Sequence, residues 1–111
     1  MSDNYSLILT TIDCRQEAER LAERILERKL AACVQIQKIK SFYRWNGKIE
    51  RGDECLLLMK TRASLWSKLS EFIRQNHSYQ TPEVVQISIG DGSREYLDWL
   101  EAVTIDPKDC E

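Results

Sequence analysis

The segment Asn76–Glu83 concentrates most of the residue types in this chain that can do chemistry. It contains the only histidine, His77, together with the Tyr79 hydroxyl, the Glu83 carboxylate and one of the two prolines. Pro82 disfavours helical geometry in the residue before it, so the segment is expected to follow an extended path. Polar loops between rigid elements commonly carry binding sites. The pattern favours a ligand-contacting loop, with a capping or hydrogen-bonding role for the single histidine as the alternative.

His77 is a candidate ligand for a soft divalent metal such as copper. Imidazole and thiolate together suit copper or zinc. One chain offers too few converging ligands for a closed site, so we expect any metal site to form between subunits. There, copies of His77 would meet around an axis, or His77 would meet a neighbour's Cys33, Glu50 or Glu54. Lys60 is expected to pair with Glu54 or to contact an anion, and a purely structural ion pair is the alternative.

Several classes of function are disfavoured by what the sequence lacks. No Ser-His-Asp or Cys-His arrangement is recognisable, since there is one histidine and no glycine-rich elbow surrounds any serine. The four glycines are scattered, so no loop is expected to cradle a phosphate. We therefore expect a protein that is not an enzyme. The net charge of −2 gives no broad attraction for nucleic acid.

The sequence also predicts the cellular location of the protein and the state of its cysteines. The longest apolar run, at residues 56–59, is too short to cross a bilayer, and residues 1–5 lack the features of a signal peptide. We expect a cytoplasmic protein with no membrane partner. The four cysteines are widely separated and are expected to be free thiols.

Periodicity predicts one domain over residues 1–111, with alternating strands and helices. The predicted strands cover 6–12, 32–44, 48–61 and 84–89, and the predicted helices cover 15–29, 64–75 and 93–103. Asp13 and Ser64 are expected to cap the first two helices. A bulge is expected near Lys38 and a break at residues 51–53. Right-handed crossovers then place two helices on one face of an antiparallel sheet, which is a ferredoxin-like split βαβ sandwich of the α+β class with an extra C-terminal helix.

The hairpin between the second and third strands is predicted to be longer than the domain. Asn46-Gly47 is a strong two-residue turn signal. Thirteen residues per arm span about 43 Å, whereas a globule of this length is roughly 35 Å wide. The end of the hairpin carries Phe42, Tyr43, Trp45 and Ile49, and such a surface is an aggregation hazard unless another chain covers it. We therefore expect an oligomer, unless the hairpin curls back over its own sheet.

Five ordered motifs resemble the CutA family of divalent-cation tolerance proteins. They are Leu30-Ala31-Ala32-Cys33, Tyr43-Arg44-Trp45-Asn46-Gly47-Lys48-Ile49, Lys60-Thr61, His77-Ser78-Tyr79-Gln80-Thr81-Pro82-Glu83 and Tyr96-Leu97-Asp98-Trp99-Leu100. The resemblance implies a ferredoxin-like protomer in a tight homotrimer built through the long strands. It also implies a role in copper and other divalent-metal tolerance, without a catalytic reaction.

The resemblance also suggests where a site would lie. The positions that bind copper in a bacterial member correspond to Thr10, Asn76 and His77 here, so only His77 keeps the family's ligand type. The motif residues that the resemblance places in an intersubunit cleft or at the trimer interface are Tyr43, Trp45, Lys60, Tyr79 and Trp99. The leading hypothesis is a trimer that binds copper or another divalent cation weakly near His77. The alternatives are a trimeric sensor of a small anion or metabolite, similar to the nitrogen-regulatory signal proteins, and a protein-binding scaffold.

Overall fold

The computed structural model describes residues 4–108, and their strands and helices follow the predicted order. The elements are β1 (Tyr5–Ile12), α1 (Arg15–Glu27), β2 (Cys33–Trp45), β3 (Lys48–Arg62), α2 (Trp66–Gln75), β4 (Val85–Ile89) and α3 (Arg94–Val103). The strands form one antiparallel sheet in the order β2-β3-β1-β4. The α+β, ferredoxin-like prediction is confirmed. Cys110, expected to be a free thiol, lies outside the described residues.

The core lies between one face of the sheet and helices α1 and α2. Ala18, Leu21, Ala22 and Ile25 recur at helical spacing on α1 and are buried, as the periodicity predicts. On the sheet, alternate residues point towards the helices, and Leu57 is fully buried. Burial of apolar surface along this one interface is the main stabilising contribution to the fold.

The opposite face of the sheet is only partly covered. Helix α3 packs over one end of this face and buries Leu100, while Tyr96 and Val103 remain more than a third exposed. Val85 and Ile87 on β4 are also exposed. The apolar run at residues 55–59 of β3 alternates between buried and half-buried residues, so the second face of this strand is only partly covered.

Beyond the four-stranded part, β2 and β3 continue as a two-stranded ribbon, defined here as residues 39–54. Pairing of β1 with β3 ends at Ile12↔Cys55, while pairing of β2 with β3 runs on to Trp45↔Lys48. Asn46 and Gly47 have φ of 53° and 75°, as a tight two-residue hairpin turn requires. The chain is consequently 44 Å along its longest axis, as the predicted overhang requires.

Some local predictions are wrong. The register between β2 and β3 is continuous from Cys33↔Lys60 to Trp45↔Lys48, so the expected bulge near Lys38 and the expected break at residues 51–53 are both absent from the described hairpin. Along β2 the apolar side chains Val34 and Ile36 lie on one face of the sheet, whereas Ile39 and Tyr43 lie on the other. This change of face needs no bulge, because the ribbon has no core on either side to fix which face is buried. The N-cap residues of α1 and α2 are Cys14 and Leu65, and neither makes a side-chain capping hydrogen bond. The expected caps, Asp13 and Ser64, are therefore wrong.

Helix α1 ends in a left-handed residue that is not glycine. Lys29 has φ of 58°, its N–H donates to the Leu26 carbonyl, and the N–H of Leu30 donates to the Ile25 carbonyl. These two bonds form a Schellman motif, which ends the helix and turns the chain towards β2.

Candidate functional site

His77 is held by hydrogen bonds on both ring nitrogens. The backbone N–H of Tyr79 donates to Nδ1 at 3.0 Å, and Nε2 lies 2.8 Å from the Thr11 carbonyl oxygen at the end of β1. Because Nδ1 is an acceptor, Nε2 must carry the proton and donate to Thr11. Both nitrogens are therefore engaged within the chain, which matches the hydrogen-bonding role that the sequence left open.

Tyr79 links the His77 loop to the ribbon. Its ring packs on that of His77 with 4.7 Å between centroids, and its hydroxyl donates to Glu54 Oε2 at 2.7 Å. Burial, together with this hydrogen bond to a carboxylate, raises the pKa of Tyr79 well above its usual value. Tyr79 therefore remains a neutral donor to Glu54 across the physiological pH range.

These contacts form one wall of a surface cleft of about 590 Å³, called here the ribbon cleft. It lies between the end of β1, the loop of residues 79–83 and the length of the ribbon from Glu54 at its base to Trp45 near its turn. Its aromatic lining comes from two elements: Tyr79 from the loop, and Phe42, Tyr43 and Trp45 from β2. Thr11, Ser41, Gln80 and Thr81 complete the neutral part of the lining.

The charged lining of the ribbon cleft is entirely acidic. Asp13 follows β1, Glu54 lies on β3 and Glu83 lies in the loop, and no lysine, arginine or histidine lines the cleft within residues 4–108. Glu54 Oε2 accepts the Tyr79 hydroxyl, which orients that carboxylate. The electrostatic character of the cleft therefore favours a cation over an anion.

The remaining predicted site residues lie at the opposite end of the sheet. The Lys60 ammonium is 5.6 Å from the centroid of the Tyr96 ring, and that ring is 5.4 Å from the ring of Trp99 on α3. Lys60 pairs with Cys33 across the sheet. Cys33 and Trp45 are twelve residues apart on β2, which is roughly 40 Å of strand. Within one chain the predicted residues therefore form two separate groups.

Lys60 does not pair with Glu54 in this chain. The two residues are six positions apart on β3, which is roughly 20 Å, and their contacts are with Tyr96 and Tyr79 respectively. Glu50 pairs with Tyr43 near the end of the ribbon, where both are exposed.

Comparison with known proteins gives the family. The model of the "CutA1 divalent ion tolerance protein" family matches residues 6–103, which is most of the chain. The chain belongs to the CutA1 family. The divalent-cation tolerance protein CutA of Archaeoglobus fulgidus is 43% identical over 97 residues, covering 87% of this chain and 95% of the relative. The chloroplastic CutA protein of Arabidopsis thaliana is 42% identical and extends well beyond the match, which covers 54% of it.

Solved CutA1 structures confirm the fold. The crystal structure of CutA1 from Oryza sativa superposes with a TM-score of 0.90 at 39% identity, covering 95% of this chain and 97% of the other. The structure described as the periplasmic divalent cation tolerance protein CutA from Archaeoglobus fulgidus gives a TM-score of 0.88 at 42% identity, covering 89% and 97%. Among residues 4–108 of this CutA1-family chain, no helix has the length and apolar character needed to cross a bilayer.

At the three positions where the CutA resemblance implies copper ligands, this chain has Thr10, Asn76 and His77, and none of these side chains is arranged to bind a metal within one chain. Thr10 is fully buried, and its hydroxyl has no partner in the described part of the chain. The Asn76 side chain accepts from Arg24 Nη1 at 2.8 Å and donates to the Phe72 carbonyl at 2.9 Å. With both His77 nitrogens also engaged, this donor set does not fit a copper ion within one chain. No group of three or more potential metal ligands of the His, Cys, Asp or Glu type occurs within residues 4–108.

Sequence reasoning missed Asp13 as a lining residue of the ribbon cleft, because it was interpreted as a helix cap. The available signal was its position immediately after β1, since the ends of neighbouring antiparallel strands and the loops beside them meet at one edge of a sheet.

Proposed function

We propose that this CutA1-family protein acts in divalent-cation tolerance as a homotrimer that carries out no catalytic reaction. The observation that supports assembly is the ribbon, whose side chains lie beyond the chain's own core. Phe42 is 62% exposed, Trp45 55% and Ile49 72%. Contiguous exposed apolar surface of this kind marks protein interfaces. Together with Val85 and Ile87 on the partly covered face of the sheet, the ribbon gives each subunit two apolar surfaces for its neighbours.

The proposed cation site lies where subunits meet, and its candidate ligands are His77, Cys33 and Glu54. Support for an intersubunit position comes from the separation of Cys33 from the other two, since Tyr79 contacts both His77 and Glu54 within one chain. Thr11, which binds His77, pairs with Leu56, whereas Cys33 pairs with Lys60 four residues further along β3. A metal bound to His77 also requires the ring to give up its bond to Thr11 or to Tyr79, so the affinity is expected to be weak.

Copper titration tests the metal part of the proposal. Isothermal titration calorimetry with Cu²⁺ should give a saturable isotherm for the wild type and a weaker one for His77→Ala. Glu71→Gln is the matched control, because Glu71 lies on the exposed surface of α2. Indistinguishable isotherms for the wild type and His77→Ala would remove His77 from the site.

Light scattering tests the assembly. A homotrimer of this 13.0 kDa chain should have about three times the mass of one chain at micromolar concentration. A single-chain mass under the same conditions would contradict the proposal for assembly and, with it, the intersubunit metal site.

The second candidate function is sensing of a small ligand, and the observation that favours it is the ribbon cleft itself. A concave site with aromatic walls and a few polar groups is the usual form of a small-molecule site. A thermal-shift screen in the presence of a chelator separates the two functions, because a ligand that binds the native state raises its stability by mass action without any metal.

A cytoplasmic location is part of the same proposal. Cys14, Cys33 and Cys55 are free thiols, which suits a reducing compartment. The names of the relatives describe both chloroplastic and periplasmic proteins, so location varies among them. Fractionation of the source cells with an antibody to this chain tests the assignment.

A further inference from the structure

Another concavity lies in the helix layer, on the opposite side of the sheet from the partly covered face. It has a volume of about 400 Å³ and lies between the C-terminal end of α1, one side of α2 and the segment after α3. It is called here the helix pocket, and its lining includes Arg28, Leu30, Lys68, Phe72 and Ile105. We propose that the helix pocket binds a small carboxylate with an apolar body, whose carboxylate group contacts Arg28 and Lys68. The inference goes beyond divalent-cation tolerance and depends neither on trimer assembly nor on a metal site.

The helix pocket is separate from the surfaces that are proposed for assembly. In the described part of the chain its lining residues belong to the end of α1, to α2 and to connecting segments, and none belongs to a strand. The ribbon and the partly covered face of the sheet, by contrast, are formed by strands and by α3. Subunits that pack through those two surfaces therefore leave the helix pocket open to a ligand.

Charge is the first argument for an anion. Arg28 and Lys68 have no ion pair and no side-chain hydrogen bond within the described part of the chain. Lys68 is nevertheless half-buried, so its ammonium gives up part of its hydration without a partner that compensates for the loss. The carboxylate in the lining, Glu71, is already engaged, because one oxygen is 3.7 Å from Arg74 and the other accepts from Gln75 at 3.0 Å. The two unpaired cations therefore determine the charge that a ligand meets.

The contact between Arg28 and Phe72 favours a carboxylate as the anionic group. The guanidinium carbon lies 5.0 Å from the centroid of the Phe72 ring, a distance at which the ring attracts the cation and helps to hold it at the edge of the pocket. This contact involves no hydrogen-bond acceptor, so the N–H groups of the guanidinium side chain remain available. A guanidinium can donate to both oxygens of one carboxylate, and such charge-assisted bonds are about twice as strong as neutral ones.

The apolar part of the lining favours a ligand with an apolar body. Leu30 is 7% exposed, and Phe72 and Ile105 are half-buried and pack against the core. Two backbone hydrogen bonds fix these positions: Leu30 N–H donates to the Ile25 carbonyl at 3.1 Å, and Ile105 N–H donates to the Lys29 carbonyl at 2.8 Å. A ligand therefore meets a preformed apolar surface, which reduces the entropy lost on binding. The volume of the pocket is also in the usual range for small-molecule sites.

Phenylacetate is the probe for the experiment, with the full chain, calorimetry as the readout and an ionic strength of about 0.15 M, at which charges more than about 8 Å apart are largely screened. We expect one saturable site per chain. Phenylacetamide has the same shape without the charge, and acetate has the charge without the ring, so each should bind about tenfold more weakly or less.

Variants of the two cations test which residues hold the carboxylate. Arg28→Gln and Lys68→Gln should each weaken phenylacetate binding about tenfold, as expected for the loss of one charged hydrogen bond. Arg28→Lys keeps the charge and loses the two-pronged geometry, so it should also bind more weakly than the wild type. Arg20→Gln is the matched control, because Arg20 is exposed on α1 and lies eight residues before Arg28, which is about 12 Å along the helix. It should bind as the wild type does. All four variants alter surface side chains, and their melting temperatures without ligand should match that of the wild type.

Three results would overturn the inference. The first is no saturable binding of phenylacetate. The second is equal weakening in Arg20→Gln and Lys68→Gln, which would indicate unspecific attraction. The third is binding of phenylacetamide or of acetate as tightly as phenylacetate, which would remove either the charge or the apolar body from recognition. None of the three contradicts the proposed function, whereas a single-chain mass in light scattering would contradict that function and leave the helix pocket unaffected.

Discussion

Two fully buried threonines illustrate how differently the same residue type can contribute to stability. The Thr61 hydroxyl on β3 donates to the Leu30 carbonyl at 2.7 Å, which ties the end of α1 to the sheet. The Thr10 hydroxyl on β1 has no partner in the described part of the chain. A buried polar group without a hydrogen bond destabilises the native state, whereas a paired one is close to neutral or favourable.

Isosteric replacement of these two residues should therefore give effects of opposite sign. Thr61→Val leaves the Leu30 carbonyl without its donor and should lower the free energy of unfolding by about 1–3 kcal/mol. Thr10→Val removes an unpaired hydroxyl and should raise it by about 1 kcal/mol. Urea unfolding at one protein concentration measures both. Destabilisation by Thr10→Val as large as that by Thr61→Val would show that the Thr10 hydroxyl has a partner, such as a buried water.

The Tyr79–Glu54 contact predicts how stability changes at high pH. The pKa of Tyr79 is raised in the native state, while in the unfolded chain it is near 10.0. The neutral hydroxyl therefore contributes fully below about pH 10, and the contribution is lost as the pH rises above that value, because only the unfolded chain then releases the proton. The difference in unfolding free energy between the wild type and Tyr79→Phe should shrink between pH 10 and pH 11. A difference that stays constant over that interval would contradict the raised pKa.

At the scale of single elements, the sequence predicted the position of α1 and of the hairpin turn, and it failed to predict the residues that cap the helices. The stripe Ala18, Leu21, Ala22 and Ile25 placed α1 correctly because burial repeats every turn. The Asn46-Gly47 turn was predictable because few other residue pairs adopt positive φ at both positions. The caps were not predictable, because Asp13 and Ser64 have the right residue type but lie one residue before the N-terminal positions that the structure uses.

The end of α1 carries a prediction of its own. Lys29 occupies the left-handed position of the Schellman motif, where a side chain costs about 1–2 kcal/mol and glycine costs little. Lys29→Gly should raise the free energy of unfolding by about 0.5–1 kcal/mol, after allowing for the greater flexibility of glycine in the unfolded chain. Lys29→Ala is the control, since it removes the charge and keeps the strained conformation. An equal gain in both variants would attribute the effect to charge.

At the scale of the whole molecule, the sequence was informative about shape and much less so about the site. The overhang followed from strand length alone, and the 44 Å long axis agrees with it. The grouping of Tyr43, Trp45 and Tyr79 with Glu54 in one cleft, and of Lys60 with Trp99 at the other end, depends on how β2, β3 and the loop pack in three dimensions. Residue type and spacing along the chain carry no such information for residues that are far apart in sequence.

The tryptophan near the end of the ribbon gives the most direct test of assembly. Trp45 is 55% exposed in the single chain, and the proposed trimer would bury it against a neighbour. Truncation of a fully buried aromatic side chain costs about 3–5 kcal/mol, so Trp45→Ala should weaken association measured by sedimentation equilibrium and lower the melting temperature. Leu26→Ala is the control, because Leu26 is 40% exposed on α1 and lies away from the ribbon and from the partly covered face of the sheet. If Trp45→Ala sediments and melts as the wild type does, the ribbon is not part of the subunit interface, and the exposed aromatic residues around the cleft are then available to a ligand alone.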